Sequence, residues 1–197
     1  GGKYEKKFLG TIGDIGVLSL DFGKTITTGE GGMILTNNRR YFNYCKQYHD
    51  HGHKNLKSLS RGNDKVSIPG FNYRMTELQG AIGKVQLKKL NTLLIDNKKK
   101  YMIIKDTIKN FEHRSMSKNG LSNFDNFIFF IKNNYEKKEV LAVLKKHKIG
   151  TKNLPDAIKW HCAFYWKHIF NKKELKNIIK TKKILNKAIA IPILFKK

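Results

Sequence analysis

Cysteine is nearly missing from this chain. Cys45 and Cys162 are the only two in 197 residues, far apart and in no CxxC pattern, which excludes a dense disulfide framework and suits a reducing cytoplasm. Arginine is scarce as well: Arg39, Arg40, Arg61, Arg74 and Arg114 stand among 40 lysines and arginines. Against 15 acidic residues the formal net charge is +25. A surface this basic invites a polyanion. Yet arginine, the preferred reader of phosphate and base edges, is the residue in short supply. The surplus of lysine, asparagine and isoleucine follows the composition of an A+T-rich coding sequence, so we expect no dedicated nucleic-acid partner. No apolar run approaches the length of a membrane span and no signal peptide is visible, so no membrane association is expected. No internal repeat appears, and the length suffices for one good core or two modest ones.

What is present centres on Ser19 to Asn37. The apolar residues Ile15, Val17, Leu18 and Leu20 lead in, and Met33, Ile34 and Leu35 lead out, so the stretch reads as strand, polar glycine-rich connection, strand. Lys24 lies in the connection beside Gly23, just past a buried strand. A lysine held there is within reach of a small-molecule carbonyl, the setting of a Schiff-base lysine. In so basic a chain a lysine taken at random is a solvated surface group. Lys24 is singled out by its string together with a second one, Gly70-Phe71-Asn72-Tyr73-Arg74-Met75-Thr76-Glu77-Leu78-Gln79-Gly80-Ala81-Ile82-Gly83.

The two strings, in this order and spacing, resemble the DegT/DnrJ-type sugar aminotransferases, which depend on pyridoxal phosphate. The resemblance is strong from Gly1 to about Asn91 and continues weakly to Pro192. It implies an α/β fold of the fold-type I class. Residues 1–110 would be the end of the large cofactor-binding domain with its long connecting helix, and residues 111–197 most of a small C-terminal α+β domain. The family's chains are about twice this length, so the sequence is expected to be a fragment lacking the N-terminal half and a last helix.

Taken in order, Gly10-Thr11-Ile12-Gly13-Asp14-Ile15-Gly16 has GxxGxxG spacing and no strand-turn-helix setting, so it reads as a turn and not as a dinucleotide fingerprint. Asn38 to His49 reads as a helix with Asn38 as N-cap. The run His49-Asp50-His51-Gly52-His53 has three readings: a metal site, the edge of a pocket, or plain surface. Adjacent ligands on a glycine-containing loop rarely converge on one ion, and no well-spaced fourth ligand is evident, so no metal is expected. Thr76 with Gln79 forms a capping box that starts a buried helix directly after the Gly70–Arg74 turn. Lys98 to Asn110 extends or resumes it, with Tyr101, Ile104 and Ile108 inward. Periodicity stops around Phe111 to Phe124, where the domain change is placed. Phe127 to Ile131 reads as a buried strand, Glu136 to His147 as a helix and Ile149 to Lys152 as a short strand. Lys173 to Lys187 reads as a helix and Ala188 to Leu194 as a strand ended by Pro192. Between these, Trp160, His161 and Trp166 sit in a dense aromatic tract that serves either as core or as a substrate wall.

The resemblance assigns roles to these positions. Lys24 would carry the cofactor covalently and move protons, and Ser19 would donate to its phosphate. Asn72 would reach the phosphate of the neighbouring subunit's cofactor, with Arg74 adding charge nearby, which makes the enzyme a homodimer with a shared active site. His51 would lie in a loop approaching that site. His161 and Trp160 would line the sugar, and Trp160-His161 followed by Trp166-Lys167-His168 is similar to the 8-amino-3,8-dideoxy-octulosonate transaminase subset. The implied reaction moves an amino group from glutamate to a keto-sugar used in polysaccharide biosynthesis, such as lipopolysaccharide. Dehydratases of the family carry histidine at the lysine position, so Lys24 argues for amination. The carboxylate that serves the cofactor's ring nitrogen would lie before Gly1, and Asp21 and Glu30 are poor substitutes by position. The alternatives are a catalytically silent relative and a basic polyanion-binding module.

Overall fold

Glycine-punctuated apolar runs make short paired strands at the start of the chain. The computed structural model describes residues 1–60, 62–65 and 68–193. Lys3–Tyr4 (β1) and Lys7–Phe8 (β2) pair antiparallel, and Gly120–Leu121 pairs along the other side of β1. Residues 9–14 form a turn, as the glycine spacing predicts. Gly16–Ser19 (β3) and Gly32–Leu35 (β4) follow as an antiparallel pair in the register Gly16↔Leu35 to Ser19↔Gly32. Helix α1, Arg39–Tyr48, starts at Asn38, whose Oδ1 accepts the amides of Arg40 and Tyr41 at 2.9 and 3.3 Å. Helix α2, Glu77–Lys88, starts at the expected capping box, with Gln79 N donating to Thr76 Oγ1 at 3.2 Å and Thr76 N to Gln79 Oε1 at 3.0 Å. Helix α3, Leu90–Thr107, follows at once.

Contacts group residues 1–93 and 118–121 into one compact unit and residues 94–117 and 122–197 into another. In the first, Leu20 is the one buried apolar side chain among the described residues, accompanied by buried Thr28, Asp50 and Asp64. The expectation that α2 is buried is corrected: none of its residues is buried, and Leu78 is 78% exposed. The stripe Leu78, Ile82 and Val85 has helical spacing, but nothing in the unit covers it.

The second unit has the classical division into a sheet with helices on it. Its strands are Glu112–His113 (β5), Asn126–Phe130 (β7) and Ala188–Pro192 (β8), in the antiparallel order β5-β7-β8, the Gly120–Leu121 segment above being β6. The period of two in β7 decides its packing. Phe127 and Phe129 join Ile189, Ile131 and Tyr101 on one face, where Val140, Leu141 and Leu144 of α4 (Asn134–Lys146) also pack. Ile128 and Phe130 meet Leu154, Ala188 and Ala190 on the other. Full burial of such a side chain stabilises by about 1.5–3 kcal/mol, and Phe127 and Ile189 are both at 0% exposure.

Two expectations for this unit are corrected. Ile149 to Lys152 is not a strand. Lys152 N donates to Ala190 O at 2.8 Å, and Ala190 N to Leu154 O at 3.0 Å, but Asn153 between them has φ +68 and interrupts the ladder. The helix expected over Lys173 to Lys187 is two: after the four-residue α5, Ile158–His161, come α6, Lys172–Asn177, and α7, Ile179–Lys187, separated at Ile178 with φ −108 and ψ 14. The strand over Ala188 to Leu194 ends at Pro192, the residue expected to end it, and Leu194 lies outside the described residues.

Candidate active site

The β3–β4 connection is closed by its own backbone. Leu20 N donates to Gly31 O at 2.9 Å and Thr28 N to Leu20 O at 3.0 Å, so residues 21–27 stand out as a loop on a fixed base. Thr28 Oγ1 donates to Glu30 O at 2.7 Å. Gly31 is required here, since at φ +148 a Cβ would lie 2.8 Å from Thr28 Oγ1.

At the base of that loop Ser19, the last residue of β3, and Lys24 meet at one carboxylate. Asp21 Oδ1 accepts the Gly23 amide at 2.7 Å, while Oδ2 lies 3.4 Å from Ser19 Oγ and 3.6 Å from Lys24 Nζ. The Gly23 amide does most to lower the Asp21 carboxyl below its ordinary value; partial desolvation opposes it, and Lys24 and Ser19 add to the lowering. Lys24 itself is half-exposed. Sequence reasoning considers Asp21 only as a poor substitute for the ring-nitrogen carboxylate and misses its place between Ser19 and Lys24. The Asp-x-Gly spacing of Asp21 and Gly23 is a turn in which the side chain accepts the amide two residues on, and that signal was available.

The second string is tied to the first. Gln79 Nε2 donates to Glu30 O at 2.8 Å, which pins the start of α2 on the lysine-bearing connection. The Gly70–Arg74 turn also pairs with the histidine loop: His51 N donates to Phe71 O at 3.0 Å, Tyr73 N to His49 O at 2.9 Å, and Asp50 and Asn72 form an antiparallel bridge. Gly70 allows this approach, because a Cβ there would sit 2.3 Å from Gly52 N. Asn72 is exposed. The Arg74 guanidinium donates to Asp50 Oδ1, and Asn55 Nδ2 to Asp50 Oδ2 at 2.8 Å. Burial pushes the Asp50 carboxyl up, but the bonds from Arg74 and Asn55 outweigh it and the net shift is downward.

His51 is exposed at φ +55, with its ring 6.4 Å from that of His53. His53 Nδ1 is 3.0 Å from Asp64 Oδ1, and the amides of Lys54 and Asn55 donate to Asp64 Oδ2. Burial acts to raise the Asp64 carboxyl, and those two amides with His53 bring it below its ordinary value. Among the described residues no group of three or more His, Cys, Asp or Glu is arranged to hold a metal ion. Trp160 and His161 lie on α5, in the second unit. Trp160 is 80% exposed, whereas the neighbouring Cys162 is buried, so the aromatic tract divides between surface and core.

The family model for the DegT/DnrJ/EryC1/StrS aminotransferase family matches residues 1–196. The chain belongs to that family. GDP-perosamine synthase of Escherichia coli O157:H7 is 37% identical over 94 residues, which cover 48% of this chain and 24% of that protein. The GDP-4-keto-6-deoxy-D-mannose 3-dehydratase of Escherichia coli O55:H7 is 30% identical over 145 residues, 67% of this chain and 37% of the relative. Among solved structures, the aminotransferase from Psychrobacter cryohalolentis superposes with a TM-score of 0.79 at 20% identity, over 100% of this chain and 55% of that one. The chain thus spans about half the length of the solved aminotransferase and less of the curated relatives. Its α/β architecture is that of the fold-type I sugar aminotransferases and dehydratases, as the sequence implied.

Proposed function

We propose that this family member is part of a pyridoxal-phosphate-dependent enzyme that transfers an amino group from an amino acid, glutamate, to a keto-sugar in cell-surface polysaccharide biosynthesis. The observation that carries this reading is the meeting of Ser19 and Lys24 at Asp21, on a loop to which Gln79 fastens the start of α2. These residues fit the cofactor: a half-exposed amine for its aldehyde stands beside a hydroxyl able to donate to its phosphate. When bound, pyridoxal phosphate supplies the electron sink for the transfer. Lys24 Nζ holds the group and carries a proton to and from the reacting carbon. Asp21 orients Nζ and Ser19 Oγ. Asn72, with Arg74 beside it, serves the phosphate of a neighbouring subunit's cofactor, and His51 borders the site. Trp160 and His161 form a wall for the sugar, a reading that the exposure of Trp160 supports.

The exposed apolar stripe of α2 supports a homodimer, and two free cysteines support a cytoplasmic location. The division into a cofactor-binding part, 1–110, and a small domain, 111–197, belongs to the same reading. A second reading, sugar dehydration, draws on the relative named a 3-dehydratase, which matches over the longer stretch. Lys24, where the dehydratases of the family carry histidine, favours amination. The test is to supply the full-length protein with pyridoxal phosphate, glutamate and nucleotide-linked keto-sugars. Formation of 2-oxoglutarate and an amino-sugar, abolished by Lys24→Ala, is the expected result. Loss of water from the sugar without amination would favour the second reading, and no reaction of either kind would overturn both.

A further inference from the structure

The transfer just described assigns no task to Asp50, although Asp50 sits at the centre of the turn that carries Asn72 and Arg74. Its side chain is buried, at 6% exposure for the residue. Its two carboxylate oxygens face different partners, the Arg74 guanidinium on Oδ1 and Asn55 Nδ2, at 2.8 Å, on Oδ2. Its backbone is the bridge partner of Asn72, with His51 and Tyr73 donating across the same seam at 3.0 and 2.9 Å. Asn72 Oδ1 in turn accepts the Arg74 amide at 3.4 Å. Asn72 is therefore held through its own main chain, through the chain opposite and, by way of Arg74, through the Asp50 carboxylate.

Withdrawing a carboxylate from water is costly unless a cation and further donors meet it, and such an arrangement fixes geometry more than it adds stability. The bonds from Arg74 and Asn55 fix the Asp50 carboxylate, and through Arg74 they fix the turn that carries Asn72. The charge of Arg74 is matched inside the chain by Asp50, while Asn72 remains exposed.

We propose that Asp50 is a positioning residue, which sets the Gly70–Arg74 turn so that Asn72 meets the cofactor phosphate and makes Arg74 a strut of that turn. This rests on the reading of Asn72 given above. The test is a double-mutant cycle on the full-length protein, with pyridoxal phosphate affinity measured by fluorescence titration in the absence of donor and sugar. Asn72→Ala and Asp50→Ala are each expected to weaken binding roughly ten-fold, the worth of a charge-assisted hydrogen bond. The double variant should bind no more weakly than Asn72→Ala alone, since both remove one interaction. Effects that multiply, or an Asp50→Ala protein with a lowered melting temperature and unchanged affinity, would overturn the proposal and leave Asp50 a structural residue. Asp50→Asn, which is isosteric, carries the same cycle if the alanine variant fails to fold. Unchanged affinity in Asn72→Ala, beside loss of binding in Lys24→Ala, would remove the role of Asn72 and this inference with it, and leave the lysine assignment standing.

Discussion

The two units are stabilised by different means. Residues 94–117 with 122–197 bury Phe127, Phe129, Ile131, Ile189 and Tyr101 together, and aromatic rings meet edge-on at about van der Waals contact, as Tyr101 and Phe124 do with centroids 5.1 Å apart. Residues 1–93 with 118–121 instead bury carboxylates and a threonine and leave Val17, Phe22 and Leu78 at 74%, 83% and 78% exposure. Both main motif strings lie in this polar unit. Hydrogen-bonded networks hold side chains in fixed directions but contribute little net stability per bond, about 0.5–1.5 kcal/mol each. Among the described residues, the unit that carries the motif strings is thus oriented by hydrogen bonds and leaves apolar side chains exposed, faces that further polypeptide or a ligand can cover.

That contrast can be broken by mutation, and the largest effect belongs to the packed unit. Phe127→Ala should cost about 3–5 kcal/mol, read as a fall in the urea midpoint, because the cavity it leaves is enclosed by β7, β8 and α3. A loss below about 1 kcal/mol would mean that the core is not close-packed. In the polar unit the comparable change is Gly70→Ala, since no rotamer can move a Cβ away from Gly52 N. We expect a loss of about 1–3 kcal/mol there, with faster hydrogen exchange at the His51 and Tyr73 amides. Thr76→Ala should remove the α2 cap at a cost of about 1 kcal/mol.

Acid should separate the units further. Asp50 and Asp64 both have folded pKa values below their unfolded ones, so the stability they contribute is complete above the unfolded value of about 3.9 and is lost as pH falls through the folded values. Exchange protection at the Lys54 and Asn55 amides, relative to intrinsic rates, should therefore fall below about pH 4 while that of β7 and β8 persists. Equal loss in both units would contradict the division of labour. The smallest effect is expected of Val17→Ala, within about 0.5 kcal/mol, because the side chain is exposed. A larger loss in the full-length protein would identify β3 as covered there.

What the sequence made legible was mostly local. Capping boxes and caps at Asn38 and Thr76 follow from side chains reaching backbone amides within three residues, and both were read correctly. The buried strand expected over Phe127 to Ile131 is found as β7, Asn126–Phe130, because a run of consecutive apolar residues is itself a local signal; its alternation of faces emerges only from the structure. The failures came where distant or missing contacts decide. The apolar spacing of α2 predicts burial that nothing in its unit provides, and at Asn153, just after the run 149–152, the residue type tolerates a positive φ but the pairing with β8 that it interrupts is a long-range matter. In the candidate site Lys24 and Ser19 are named by their string and the Asp21 turn is legible in its Asp-x-Gly spacing, but the Asp50–Arg74 pair, separated by twenty-four positions, needs coordinates.

The central claim, that Lys24 is the residue to which the cofactor attaches, is tested most directly by chemical trapping. The full-length protein is incubated with pyridoxal phosphate, reduced with borohydride, digested and mapped by mass spectrometry. The account predicts the reduced cofactor on the peptide carrying Lys24 at one equivalent per chain, and no labelling of Lys24→Ala at any of the remaining lysines. Stoichiometric attachment at another lysine, or an alanine variant that transaminates normally, would contradict it.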